Sequence, residues 1–267
     1  MAVHAHPDDE AISTGGVLAR YADEGARTVL VTCTNGELGD APGGIKPDRD
    51  DHDAAAVVAA RRAELQRSCD VLGVAHLELL GYRDSGMMGW PQNGAPDAFW
   101  NTPVDDAAKR LAALMEKYEP QVVVTYDENG FYGHPDHIQA NRITLAAAAM
   151  TGIPKKVYYT AVSKKAIGEM MRRFRDQMPD DENFQFDPDD PPFGVDDALI
   201  STIVDVSAYI DRKRASIAAH ESQGDNIPFL KMPDEVFAQA FGHESFTRVS
   251  DSTGAPIPET DLFAGIR

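Results

Sequence analysis

Two short stretches hold most of the side chains in this sequence that could do chemistry. The first is Met1-Ala2-Val3-His4-Ala5-His6-Pro7-Asp8-Asp9-Glu10, an apolar run that ends in two histidines, a proline and three carboxylates. Pro7 has no N–H for a strand ladder and stops the run. His6 and Asp9 stand three residues apart across the turn, so both can face one point. Imidazole nitrogen with carboxylate oxygen is a good ligand set for Zn²⁺. Asp8 is not needed as a ligand and is left free beside such an ion. A three-ligand catalytic site needs one more donor. The stretch Thr125-Tyr126-Asp127-Glu128-Asn129-Gly130-Phe131-Tyr132-Gly133-His134-Pro135-Asp136-His137 supplies a candidate in the same grammar.

Strands must deliver both stretches to one place. Strand patterns at 27–33, 75–80, 121–125 and 156–161 alternate with helical patterns at 12–24, 54–72, 104–118, 136–150 and 164–177. This alternation predicts an α/β fold, a Rossmann-like, mostly parallel sheet flanked by helices. Two strand ends that each finish in His, Pro and Asp would meet at the carboxyl edge, where open α/β sheets bind ligands. No G-x-G-x-x-G loop follows the first strand, which disfavours a nucleotide-dependent enzyme. The segment 178–197 is acidic and proline-rich and reads as a loop or lid. Beyond it, strands at 199–204 and 244–249 and helices at 207–222 and 234–241 form a C-terminal extension of strands and helices. The expectation is one domain over 1–267, with a Rossmann-like core at 1–162 and a C-terminal part at 163–267 that completes the site. The long loops at 34–53 and 81–102 are functional candidates by length. The acidic run at 48–53 reads as solvated, and Met87, Met88, Trp90 and Trp100 as loop packing or a wall for a sugar.

The two stretches together resemble the zinc-dependent de-N-acetylases called LmbE-like or PIG-L-like. The resemblance is carried by His4-Ala5-His6-Pro7-Asp8-Asp9-Glu10 and His134-Pro135-Asp136-His137. It continues through Thr32-Cys33-Thr34-Asn35-Gly36-Glu37, Arg83-Asp84-Ser85-Gly86 and Asp261-Leu262-Phe263-Ala264-Gly265, and so covers most of the chain. The family includes N-acetylglucosaminyl-phosphatidylinositol deacetylases, the mycothiol-pathway deacetylase and the mycothiol S-conjugate amidase. What it implies is an amide hydrolase that removes an N-acyl group, above all N-acetyl, from a glucosaminyl substrate such as N-acetylglucosaminyl-inositol.

The chemistry follows from the residue types. Zn²⁺ held by His6, Asp9 and His137 would keep positions open for water and a carbonyl oxygen, and would lower the pKa of that water toward about 7. Fe²⁺ suits the same donors. Asp8 is the expected general base, the role the family's matching aspartate has. His134 can protonate the leaving amine or stabilise the tetrahedral intermediate. Asp136 is expected to orient His134 and raise its pKa. By resemblance Tyr132 adds a hydroxyl to the oxyanion, Arg61 reads the inositol side, Asp84 reads the sugar, and Asp40 falls near a family acidic position. Ser13 stands where the acetyl-removing branch has serine and the amidase branch lysine. His4 points to the opposite strand face from His6 and reads as packing or support rather than a ligand. Plainer readings exist: Asp8 and Asp136 as helix caps, Tyr132 as a packed loop residue, Arg61 in a surface ion pair. The alternatives in function are a mycothiol S-conjugate amidase, toward which 125–130 leans, and a deacetylase of a secondary-metabolite glycoside. A non-catalytic metal- or sugar-binding protein would need neither Asp8 nor His134.

Composition sets outer bounds. The 267 residues are 43% hydrophobic, enough for a large core, and carry a formal charge of −18. That charge argues against nucleic acid or an anionic membrane as partner. No apolar run is long enough for a membrane span, and no signal peptide is expected. Cys33 and Cys69 give no disulfide framework and read as core thiols, which fits a reducing cytoplasm. The expected partner is a small N-acyl amino sugar, with a homo-oligomer left open.

Overall fold

The computed structural model describes residues 1–41, 43–177, 187–226 and 228–267. Its strands are β1 (Ala2–His4), β2 (Val29–Thr34), β3 (His76–Tyr82), β4 (Val122–Thr125), β5 (Lys156–Ala161), β6 (Thr202–Asp205) and β7 (His243–Asp251). Among the described residues they make one seven-stranded sheet in the order β3-β2-β1-β4-β5-β7-β6. The first five are parallel, and β7 runs antiparallel to both β5 and β6. The chain builds outward from β1 to β3, then returns to the other side of β1 for β4 and β5. The order therefore reverses between β1 and β4, and a crevice opens there at the carboxyl ends of the strands. Both histidine-rich stretches leave the sheet at that crevice.

The helices are α1 (Asp9–Ser13), α2 (Gly15–Asp23), α3 (Ala54–Leu72), α4 (Val104–Tyr118), α5 (Gly130–Gly133), α6 (Pro135–Thr151), α7 (Lys164–Gln177), α8 (Ile210–Ala218) and α9 (Asp234–Phe241). Alternate strand residues face opposite layers. Val29, Val31 and Val123 pack with Leu111, Met115 and Ile143 of α4 and α6. Leu30 packs with Leu18, Leu65 and Leu72 of α2 and α3. Cys33 and Cys69 lie in these two cores as free, buried thiols. No helix among the described residues is long and apolar enough to cross a membrane.

Two of the expected helices are broken in the structure. The single helix at 12–24 is two helices, because Thr14 leaves helical geometry at φ −140°. Its buried Oγ1 donates to the Glu10 carbonyl and meets His4 Nε2, while the Glu244 carboxylate accepts the Gly16 and Val17 N–H groups at 2.7 and 2.8 Å. Those tertiary partners replace helical bonds at the break. The helix at 207–222 is a 3₁₀ turn (Ser207–Tyr209), α8 and a second 3₁₀ turn (Glu221–Asn226). In the 178–197 excursion, 178–186 lies outside the described residues. The 48–53 run is a solvated loop whose last member, Asp53, caps α3 by accepting from the Ala55 and Ala56 N–H groups.

Candidate active site

Each stretch is shaped by a local device. After Pro7, Asp8 turns through φ +121°, a conformation few non-glycine residues adopt, and Asp9 opens α1. Asp8 occupies the N-cap position but its carboxylate makes no cap bond; it accepts from Arg61 Nη2 at 2.9 Å instead. In the second stretch His134 is the N-cap of α6, its Nδ1 accepting the Asp136 N–H at 3.1 Å, and Pro135 sits in the first turn. Gly130, at φ +62°, lets the preceding loop close on α6, since a Cβ there would lie 2.8 Å from that of His137.

These devices bring the two stretches together. The Asp9 carboxylate lies between two imidazoles, Oδ2 being 3.3 Å from His6 Nδ1 and Oδ1 3.4 Å from His137 Nε2. His6, His134 and His137 each turn a ring nitrogen inward, all within 4.8 Å of one another, and His6, Asp84, His134 and Asp136 form an overlapping group of the same tightness. Both nitrogens of His137 are buried, and among the described residues neither makes a hydrogen bond of good geometry. Buried polar atoms are seldom left unmet, and a divalent cation is the partner this donor set suits. The residues therefore fit a metal. His6 turns its other nitrogen, Nε2, to the Asp136 carboxylate at 3.2 Å, the arrangement that orients a ligating histidine. The Tyr126 ring stacks on His137 at 4.1 Å between centroids.

Burial and mutual charge set the protonation states. Burial raises Asp8 to about 6, with the Arg61 guanidinium pulling the other way and Asp9 reinforcing the rise. Burial would raise Asp9 too, but the His137 and His6 imidazoles hold it well below the usual carboxylate range. His134 is pushed down to about 2 by burial and by the His6 and His137 imidazoles. Burial also lowers His137, to about 4.

Two expectations change. The Asp136 carboxylate does not orient His134: it accepts from Ser85 N at 2.9 Å, from Ser85 Oγ and from His6, and only its backbone N–H reaches His134. Nor is His134 raised into an imidazolium. With Nδ1 accepting, the neutral ring carries its proton on Nε2, as a donor. Ser85 and His6 hold the Asp136 carboxylate, and burial with the His6 and His137 imidazoles keeps His134 neutral.

The remaining candidates fall at different distances. Tyr132 stands at the mouth, 46% exposed, with its ring centroid 5.0 Å from that of His137. Asp84 is buried 3.8 Å from His6 and accepts the Gly86 N–H. Arg61 is buried, and its bonds go to Asp8 and to the Pro7 and Gly36 carbonyls. Asp40 bonds Lys46 and pairs through its backbone with Gln223. Ser13 is half-buried at the end of α1, with no side-chain hydrogen bond among the described residues. Met87, Met88 and Trp90 are exposed on the loop that follows Asp84 and Ser85. His4 is packed away from the cluster, against Thr14 and Tyr126. Glu10, Ser85 and Tyr126 carry site contacts that residue type alone did not single out, although all three lie within or beside the motifs. His220 bonds Glu10 from 210 positions away, with no local signal at all.

The family model for GlcNAc-PI de-N-acetylase, PIG-L, matches residues 1–148, which hold both stretches. The chain belongs to the PIG-L family. Among curated PIG-L relatives, the 1D-myo-inositol 2-acetamido-2-deoxy-alpha-D-glucopyranoside deacetylase of Acidothermus cellulolyticus is 42% identical, over 100% of this chain and 94% of that protein. The enzyme of the same name from Thermomonospora curvata is 38% identical over 99% and 95%. Among solved structures, the N,N'-diacetylchitobiose deacetylase from Pyrococcus horikoshii has the same fold, with a TM-score of 0.58 at 20% identity, over 93% of this chain and 82% of that one. The PIG-L match ends before His220.

Proposed function

We propose that this chain is a zinc-dependent deacetylase that removes the acetyl group from N-acetylglucosaminyl-inositol. One observation carries the reading: His6, Asp9 and His137 converge beside an Asp8 carboxylate that no ligand role requires. The names of the relatives supply the substrate. His6, Asp9 and His137 would hold Zn²⁺, with Fe²⁺ the alternative, and the ion when bound would polarise the acyl carbonyl and acidify a water.

The chain's own groups do the rest. Asp8, poised near 6 and clamped by Arg61, takes a proton from water as its oxygen attacks the acyl carbon. The His134 Nε2–H donates to the developing oxyanion, and the Tyr132 hydroxyl adds to it from the mouth. An amide nitrogen cannot leave as an anion, so the C–N bond breaks as a proton reaches that nitrogen. Protonated Asp8 is the donor at hand, since His134 rests neutral. Acetate and the free amine are the products. Asp84, 3.8 Å from His6, would accept from sugar hydroxyls, and by resemblance Arg61 would read the inositol side with Asp40 near a family acidic position.

The test is amine release by the zinc-loaded protein from N-acetylglucosaminyl-inositol and from a mycothiol S-conjugate, with Asp8→Ala alongside. Turnover of the acetyl compound, lost in the variant, is the expected result. Turnover of the conjugate alone would assign the chain to the amidase reading instead.

A further inference from the structure

Asp8 is the one residue of the first stretch whose backbone is out of the ordinary regions, at φ +121° and ψ −30°. Such geometry persists only where the surroundings over-determine it. Here the Pro7–Asp8 peptide is gripped at both ends. Arg61 Nη2 donates to the Pro7 carbonyl, and the Asp8 N–H donates to Glu10 Oε2 at 3.0 Å. Glu10 is itself fully buried and accepts on its other oxygen from Ser68 Oγ at 2.5 Å and His220 Nε2 at 2.8 Å. His220 is fully buried too, and among the described residues its Nδ1 has no hydrogen-bond partner and its Nε2 bonds Glu10.

The turn that carries His220 is fastened independently of Glu10. Ser222 donates from N and Oγ to Glu64 of α3, each at 2.7 Å, and Gln223 bonds the Asp40 carbonyl at 2.8 Å. His220 is thus an anchored donor, and the bond passes through Glu10 to the N–H of Asp8.

We propose that His220 is a positioning residue for the deacetylation, acting through Glu10 to hold the Asp8 backbone in the conformation that presents its carboxylate to the reacting water. The 163–267 part thereby completes the site. The proposal rests on the reading of Asp8 as general base.

Three variants of the metal-loaded, full-length chain test it. His220→Leu removes the donor and is expected to lower kcat by about 10- to 100-fold, the scale of a small misplacement of a reacting group, with KM and bound metal little changed. His220→Gln, whose amide can donate to Glu10, is expected to recover most of that loss. In crystals of His220→Leu, the Asp8 φ is expected to leave the positive region. The proposal is overturned by a wild-type kcat in His220→Leu, by a parallel loss of metal, or by His220→Gln performing no better than His220→Leu. Should His220→Leu fail to fold, Glu10→Gln weakens the same bonds by removing the charge that accepts from the Asp8 N–H, Ser68 and His220: a lower kcat with metal retained supports the clamp, and an unchanged kcat sinks it. Wild-type turnover by Asp8→Ala, or an inactive wild type, would fail the base assignment or the substrate instead, and the Asp8 φ would still report on the clamp.

Discussion

Replacing Arg61 with methionine should move the acidic limb of the pH–rate profile upward. The guanidinium lies 2.9 Å from the Asp8 carboxylate, and the two side chains are 4% and 23% exposed. Burial raises Asp8 to about 6, and Arg61 is the largest influence holding it from rising further. Coulomb's law at that distance gives roughly 6 kcal/mol with an effective dielectric of about 20, an upper bound because water reaches Asp8. An arginine neighbour typically lowers an aspartate by about 1–3 units, so a loss of about 1–2 units of that lowering is the reasoned magnitude. Asp8 works as the carboxylate, so a raised pKa leaves less of it ionised at a given pH. The limb should therefore shift up by about 1–2 units, slowing the enzyme by roughly 10- to 100-fold below the limb and converging with wild type well above it. A bound cation displaces both profiles to lower pH and leaves the sign of the difference intact. Arg61→Lys keeps the charge but not the fork that also holds Pro7 and Gly36, so its limb should move less while its plateau falls. The assay is kcat/KM for amine release across the limb, with metal content matched. A pH-independent loss in Arg61→Met, or a limb that stays put, would refute the electrostatic coupling and leave Arg61 as a substrate contact.

Asp136→Asn should weaken metal binding by about 10- to 100-fold, because Asp136 orients His6, and chelator competition measures it. His134→Gln should lower kcat by about 10²- to 10⁴-fold with metal stoichiometry intact, whereas His137→Gln should release the metal; equal metal loss in both would place His134 among the ligands. Glu259 accepts from Lys156 and Arg248 on one oxygen and from Tyr158 and Thr202 on the other. Glu259→Gln leaves the Lys156 ammonium buried beside a neutral partner and should cost about 3–5 kcal/mol in urea unfolding. Lys156 opens β5, at the edge opposite the site, so kcat of the folded fraction should not change.

Periodicity and residue type are enough for a good part of this protein. Apolar runs of strand length alternate with helical patterns, and that alone implies a parallel sheet. The donors His6, Asp9 and His137, and the free Asp8, are legible because ligand chemistry is written in side-chain type and short spacing. The rest depends on which segments become neighbours. That β1 lies beside β4, and so joins the two stretches, follows from strand order, on which local pattern is silent. The helix at 12–24 breaks at Thr14 because Glu244, far along the chain, takes over its N–H bonds. Asp136 serves His6 instead of His134 because Ser85 arrives on another loop to hold it. Arg61 reads from its helix as a surface or substrate residue, and only packing against the Pro7 turn makes it the neighbour of Asp8. His220 is the extreme case: its bond to Glu10 spans 210 positions, and nothing within a few residues of either encodes that distance. Local patterns record what a segment can do; burial and contact between distant segments set which of those capacities is used.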